Sequence, residues 1–214
     1  MPLILHGPAY STYTRTARLA LEEKGVAYEL HEVDLLSGAS QSPEHLARQP
    51  FGKVPALDHD GFALFETFAI ARYIDEAFQG PRLQPENAQA RARMTQICGI
   101  IDSYGYGAMI GKVFWQTAVI PMQGGQPDKA VIAQGMGEAE KVLDVLEDLT
   151  SEDGDALCGG TEVSLADLLL APVVDYFIMA NAGRAALAAR PRLSAWWDRT
   201  RQRASMAKTQ PKLG

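Results

Sequence analysis

Residues 3–25, LILHGPAYSTYTRTARLALEEKG, change from one kind of secondary structure to another within a few positions. Leu3–His6 is a short apolar run of strand length. Residues 12–24 read as a helix, and Gly25 stands where a left-handed residue closes one. The join between them is crowded with hydroxyls: of the seven residues Tyr10–Thr16, six carry one, Arg15 being the exception. A strand that feeds a helix through a polar loop is the opening half of a β-α-β unit.

Reading outward, Tyr28–Val33 has loose strand alternation. After a Gly/Ser/Pro-rich stretch, strand signals return at Val54–Leu57 and Phe62–Phe65. Asp58-His59-Asp60-Gly61 between them predicts a hairpin, because Asp-Gly accepts positive φ. Thr67–Phe78 then resumes helical period, with Phe68, Ala71, Ile74 and Phe78 near one face. The order β-α-β, long connection, β-β-α implies a first parallel pair and a last antiparallel one. That is the order of a thioredoxin-like α/β domain. Gln79–Pro85 has two prolines and a glycine in seven residues, which marks a linker. Beyond it the chain reads as all helix, near 87–119, 128–149, 164–181 and 191–205. Ser164-Leu165-Ala166-Asp167 resembles a capping box. The expected architecture is α/β followed by all-α: a thioredoxin-like domain over 1–79, a linker over 80–87 and a helical domain over 88–214.

The 214 residues suffice for one large domain or two small ones, and 47% hydrophobic with 21% charged is ordinary globular composition. A net charge of −6 argues against nucleic acid or an anionic membrane as partner. Cys98 and Cys158 form no CxxC motif and no disulfide framework, which points to a reducing, cytoplasmic setting. MPLILHG lacks a basic n-region, and the apolar stretch around 165–174 is broken by Asp167 and Pro172, so neither a signal peptide nor a membrane span is expected.

Three places could carry chemistry. A helix start leaves N–H groups unpaired at the positive end of its dipole, and a Ser or Thr there either caps the helix or donates to a bound thiolate. A free thiol titrates near ~8.5. Lowering that by roughly two units takes roughly 2.7 kcal/mol. One charge-assisted hydrogen bond at about 1.5–3 kcal/mol plus a helix N-terminus at about 0.3–1 suffices. The second place is Gly52-Lys53-Val54-Pro55, where proline is either an ordinary edge-strand residue or a cis kink that offers the Val54 backbone to an extended peptide. The third is Glu66-Thr67, either a helix cap with a dipole-friendly charge or a clamp for the ammonium and carboxylate of an amino acid.

These elements would bracket one small, anionic thiol peptide, and here the chain resembles the cytosolic glutathione S-transferases. The resemblance is to their serine-type, phi- or theta-like members, of bacterial type. It covers the whole chain and is carried by GPAYST with ALEEKGVAYEL, SPEHLARQPFGKVPAL, ALFETFAIARYI and, less specifically, GGTEVSLADLLLAPVV. It implies that Ser11 stabilises the glutathione thiolate, with Tyr10, Thr12 and Tyr13 as reserves. It implies that the Val54 backbone before Pro55 pairs with the cysteinyl unit and that Glu66 and Thr67 hold the γ-glutamyl end. Lys53 and Gln41 would contact the peptide, Gln41 departing from the basic residue that phi members often carry near the glycyl carboxylate. Phe51 resembles the aromatic key that enters the partner subunit of a homodimer.

Tyr106, Met109, Ile110, Val113, Phe114 and Trp115 form an apolar stripe, either core or the wall of a pocket for an apolar electrophile. Gly105, Gly107 and Gly111 among them weaken a helix by about 1 kcal/mol each, which predicts a break or bend. The four histidines lack metal-ligand spacing, and no P-loop or GxGxxG follows a strand. The expected function is conjugation of glutathione, as co-substrate and without a further cofactor, to a small apolar electrophile in detoxification. Glutathione-dependent peroxidase, isomerase or dehalogenase activity on the same fold is the enzymatic alternative. A non-catalytic binding or regulatory protein is the other.

Overall fold

The computed structural model describes residues 3–152 and 154–211, which divide into two compact units. The first holds a four-stranded mixed sheet in the order β2-β1-β3-β4. Its strands are β1 (Leu3–His6), β2 (Glu29–His31), β3 (Ala56–His59) and β4 (Phe62–Phe65). β1 runs parallel to β2, with Leu5 opposite Leu30, and antiparallel to β3, with Leu5 opposite Leu57. β3 and β4 close a two-residue hairpin in which Asp60 and Gly61 both take positive φ, 51° and 84°. Those are the angles a type I′ turn requires.

Helix α1 (Thr12–Lys24) and α3 (Thr67–Ala77) pack on this sheet, with a short α2 (Pro43–Leu46) between β2 and β3. Leu5, Leu19, Leu21, Leu57, Ile70 and Ile74 are fully buried and make the core. Gly25 ends α1 at φ 69°, its N–H reaching the carbonyls of Glu22 and Leu21. Open space surrounds the place a Cβ would take, so Gly25→Ala meets only the left-handed backbone penalty, about 1–2 kcal/mol. Chemical denaturation should show that loss with an unchanged m-value. Just before the cap, the buried Lys24 ammonium lies 3.2 Å from Asp75 Oδ1 and 3.0 Å from the Asp75 carbonyl, joining α1 to α3.

The second unit is helical. Helix α4 (Ala88–Ile100) starts at Asn87, whose side chain accepts from the N–H groups of Gln89 and Ala90. The helix expected over 87–119 leaves α geometry in the glycine-containing stretch where a break or bend was expected: the backbone widens to π geometry over Ile101–Gly105 and Gly107–Val119 before a last turn, α5 (Ile120–Met122). The three glycines of this segment lower the cost of leaving α geometry. Helix α6 (Lys129–Leu149) approaches it at Gly135, where a Cβ would come within 2.6 Å of Lys112 Cβ and 3.2 Å of the Ala108 carbonyl. Helix α7 (Leu165–Phe177) is buried on every side from Leu165 to Val174 and is the centre of the unit.

Its start is the predicted capping box, enlarged. The buried Asp167 carboxylate accepts from Leu157 N–H at 2.9 Å, Ser164 N–H at 2.8 Å, Ser164 Oγ at 2.6 Å and Trp196 Nε1 at 2.7 Å. The helix expected over 164–181 stops at Phe177 instead. The chain folds back so tightly that a Cβ on Gly183 would meet the Phe177 carbonyl at 2.2 Å, and α8 (Asn181–Ala188) begins anew. The helix expected over 191–205 is likewise two: α9 (Pro191–Thr200) and α10 (Ala204–Lys208).

Domain membership differs from the sequence reading in one respect. Residues 203–214 belong to the first unit with 1–83, and the helical unit is 84–202. The cause is a set of polar contacts to α1 that composition does not reveal, Arg203 forking onto Glu23 at 2.8 and 2.7 Å among them. No helix among the described residues is long and apolar enough to cross a membrane.

Candidate active site

Ser11 is the N-cap of α1. Its extended backbone (φ −68°, ψ 130°) ends the loop from β1, and its Oγ accepts from Thr14 N–H at 3.3 Å. Capping occupies a lone pair of the oxygen and leaves the O–H proton available to donate, so the two sequence readings of this residue are compatible. The loop before it is tied down: Gly7 N–H donates to the His31 carbonyl at 2.9 Å, and Ala9 N–H to Glu32 at 3.2 Å. The neighbouring hydroxyls differ in exposure and surroundings. Thr12 is buried. The Tyr10 phenol has its pKa raised by burial and by the carboxylates of Asp34 and Glu32, so its proton is held more tightly than usual. Tyr13 is half-buried.

The Val54–Pro55 bond is cis. Neither the N–H nor the C=O of Val54 pairs with another backbone group among the described residues. Two buried polar side chains shape the approach to it. Gln49 Oε1 accepts from Phe51 N–H at 2.8 Å and Lys53 N–H at 3.0 Å, and His45 Nε2 donates to the Lys53 carbonyl at 2.7 Å. The sequence reading missed both. Their spacing, one turn apart just before Pro50-Phe51-Gly52, was the available signal. Lys53 is exposed, whereas the Gln41 amide leans across Gly52, 3.5 Å from its carbonyl.

Glu66 and Thr67 open α3, but in reversed roles. Glu66, not Thr67, is the N-cap, and it makes no side-chain cap. Thr67 is the first helical residue and is buried, because the chain turns into the helix one residue earlier than a Thr cap would place it. Glu66 is exposed with φ 73°, a conformation rare for a non-glycine residue. Ser11, Lys53, Val54, Glu66 and Thr67 are thus all carried by the first unit.

The apolar stripe divides. Met109, Ile110, Val113 and Phe114 are buried in the helical unit, Phe114 stacked on Tyr176 at 4.6 Å, so they are core rather than open pocket wall. Trp115 is exposed and Tyr106 half-buried. The helical unit also has a cavity of about 550 Å³ between the π segment and α6. Ile100, Tyr104, Ala108, Val142 and Val145 line it, with Lys112, Glu138 and Lys141. Neither cysteine thiol is tuned toward the thiolate form. Burial raises the Cys98 thiol far above its ordinary range and pushes Cys158 up to about 11, in both cases with the Asp167 carboxylate adding to the effect. Among the described residues, no cluster of His, Cys, Asp or Glu could hold a metal ion.

His6, at the end of β1, sits 3.0 Å from Asp58 Oδ2, which also accepts from Arg48 Nε at 3.1 Å. Burial lowers the His6 pKa from 6.5, outweighing the Asp58 hydrogen bond that raises it. The unfolded chain therefore binds this proton more readily than the folded one. The site's contribution to stability is complete above pH 6.5 and declines as the pH falls below it. Urea midpoints should show His6→Asn narrowing the stability gap between pH 7.5 and pH 5.5, the pH values being about one unit either side of the ordinary histidine value.

The glutathione S-transferase N-terminal domain matches residues 1–76, and the glutathione S-transferase C-terminal domain matches residues 129–199. The chain belongs to the glutathione S-transferase family. It is 33% identical over 207 residues to glutathione S-transferase F10 of Arabidopsis thaliana, covering 96% of this chain and 94% of that protein. It is 34% identical to glutathione S-transferase 3 of Zea mays, covering 97% and 93%. Among solved structures, glutathione transferase F7 from Populus trichocarpa matches with a TM-score of 0.85 and 34% identity, 97% of each chain being covered. A maize glutathione S-transferase I in complex with an atrazine glutathione conjugate matches with a TM-score of 0.85 and 31% identity, over 98% and 96%. These plant glutathione S-transferases agree with the phi-like spacing of the first domain.

Proposed function

We propose that this chain is a serine-type glutathione transferase. The hydroxyl of Ser11 holds bound glutathione as its thiolate, which then attacks a small apolar electrophile. The observation that carries the reading is the N-cap geometry of Ser11: an oxygen fixed by Thr14 N–H, with its proton left to donate at the positive end of α1. The unpaired Val54 backbone before a cis proline suits an extended peptide. The uncapped start of α3, with Glu66 beside it, offers N–H groups to a carboxylate and a carboxylate to an ammonium. Lys53 and Gln41, which come together at Gly52 from either side of α2, serve the rest of the peptide, Lys53 as the cation. The protein supplies proximity and a lowered thiol pKa, with no covalent intermediate on the chain and no cofactor beyond the co-substrate.

A relative solved with a glutathione conjugate of atrazine supports transfer to an apolar electrophile. Tyr106 and Trp115 are the members of the stripe that keep exposed surface for one. The reading is tested by affinity for immobilised glutathione together with turnover on a panel of halogenated aromatics, epoxides and hydroperoxides. Conjugation of the first two classes supports it. Binding with no turnover on any of them contradicts it and favours a carrier.

The chain acts in this reading as a cytoplasmic homodimer. Phe51 is 68% exposed, with Phe65 edge-on to it at 6.1 Å, and the cavity of about 550 Å³ by Tyr104 and Val145 has room for an aromatic side chain from a second copy. Phe51→Ser should shift the sedimentation profile from dimer toward monomer at micromolar protein, with the circular dichroism spectrum unchanged. A dimer of undiminished affinity would remove Phe51 from the interface.

A further inference from the structure

The turn of α1 that carries Ser11 is gripped by the far end of the chain. Arg15 lies one turn beyond Ser11, and its N–H donates to the Ser11 carbonyl at 2.8 Å. Its side chain is fully buried. The guanidinium donates to Thr209 Oγ1 at 3.3 Å, to the Met206 carbonyl at 3.3 Å and to Gln210 Oε1 at 3.0 Å. One turn on, Arg18 donates to the carbonyls of Thr209 at 3.3 Å and Lys208 at 3.4 Å. Two cations from α1 therefore occupy the C-terminal end of α10, where carbonyls lack helical partners and the dipole favours positive charge. Arg203 on Glu23 and Lys208 on Glu22, at 2.7 and 3.0 Å, fasten the same segment to the other end of α1.

A buried guanidinium is costly unless its donors are satisfied, and an apolar side chain would fill the space at lower cost. What arginine adds is direction: its planar fork fixes several acceptors at once. Here those acceptors lie 191 to 195 residues away, and the helical turn they fix is the one whose cap hydroxyl is the proposed thiolate donor. Hydrogen bonds weaken steeply with misalignment, and a loosened first turn lets the Ser11 oxygen wander.

We infer that Arg15 is a positioning residue for glutathione activation: with Thr209 and Gln210 it forms a latch by which the C-terminal segment holds the first turn of α1, and Ser11 with it, in thiolate-stabilising geometry. The inference rests on the reading of Ser11 given above.

The test is the pKa of glutathione bound to the full-length enzyme, followed by ultraviolet thiolate absorption across pH at saturating peptide. The variants are Ser11→Ala, Arg15→Met, Arg15→Lys and the double variant Thr209→Val with Gln210→Ala. The double variant cuts the latch without touching α1. Both Arg15→Met and the double variant should raise the bound pKa by at least about half a unit, roughly a threefold loss of thiolate below it. Below that pKa kcat should fall by the same factor, with KM for glutathione within about twofold of wild type. Arg15→Lys should recover part of the shift. A shift in Ser11→Ala with neither latch variant moving would overturn the latch alone. A shift in Arg15→Met without one in the double variant would also overturn it, since charge and not position would then carry the effect. An unshifted Ser11→Ala would remove the Ser11 reading and the latch with it.

Discussion

Ser11→Ala is expected to lower kcat for conjugation by about a hundredfold while leaving KM for glutathione nearly unchanged. The reasoning is that the hydroxyl proton matters only once the sulfur is an anion, so its loss is felt in the reactive form and not in the bound thiol peptide. Removing one preorganised donor to a developing or resident anion costs on the order of 10² in rate. Binding is spread over other groups in the proposed site: the Val54 backbone, Glu66 and the first turn of α3. The variant also loses the cap on Thr14 N–H, worth about 1 kcal/mol. Ser11→Asn keeps a capping side chain and therefore separates the two effects. Its stability should stay near wild type, with the rate loss retained. Steady-state kinetics on both variants, beside their thermal midpoints, check the account. Wild-type turnover in Ser11→Ala would transfer the role to Tyr10, Tyr13 or Thr12.

Asp167→Ala is expected to destabilise the helical unit by about 3–5 kcal/mol. The carboxylate is the common acceptor for Leu157 N–H, Ser164 N–H, Ser164 Oγ and Trp196 Nε1, and it is 1% exposed. Truncation strands four buried donors, each at about 1–3 kcal/mol, with the sum reduced because the loop at 157–164 can relax. It also removes a negative charge from the first turn of α7. The Trp196 bond extends the damage to α9, so intrinsic tryptophan fluorescence should change together with the denaturant midpoint. Asp167→Asn turns one acceptor oxygen into a donor facing donors and should recover little. Trp196→Phe, which removes a single donor, should cost far less.

What the sequence disclosed depends on the range of the interactions involved. The β1–loop–α1 unit, the Asp60-Gly61 hairpin, helix α3 and the Ser164–Asp167 box are local patterns, and all are in the structure, although the buried face of α3 is Thr67, Ile70, Ala71 and Ile74 and the helix ends before Phe78. The π geometry was foreshadowed only as a weakness, because glycine permits a wider helix without specifying one; the close approach of Gly135 to Ala108 and Lys112 is a tertiary fact. The Phe177 stop was hidden inside a long apolar run, where buried helix and buried turn have the same composition. The membership of α10 was invisible for a similar reason. Arg15, Arg18 and Glu23 read as the polar face of a helix, and nothing local reveals that their partners lie 180 to 194 residues on.

Within the proposed site, residues assigned a side-chain role were easier to nominate than those that shape the backbone. Ser11 and Glu66 could be picked out by chemistry and by resemblance. His45 and Gln49 could not, since their work is to hold the amides and carbonyl around Lys53. The stripe at 106–115 shows the converse limit. Helical spacing identified its apolar members but not which of them face the core, and four of the six do.

The central claim is that this site makes glutathione a nucleophile. Isothermal calorimetry of glutathione binding at neutral pH, in two buffers of different ionisation heat, reads it most directly, because the difference in heats counts protons released. Release approaching one proton per site, abolished in Ser11→Ala, is the predicted result. Binding of equal affinity with no proton released by the wild-type protein would contradict it.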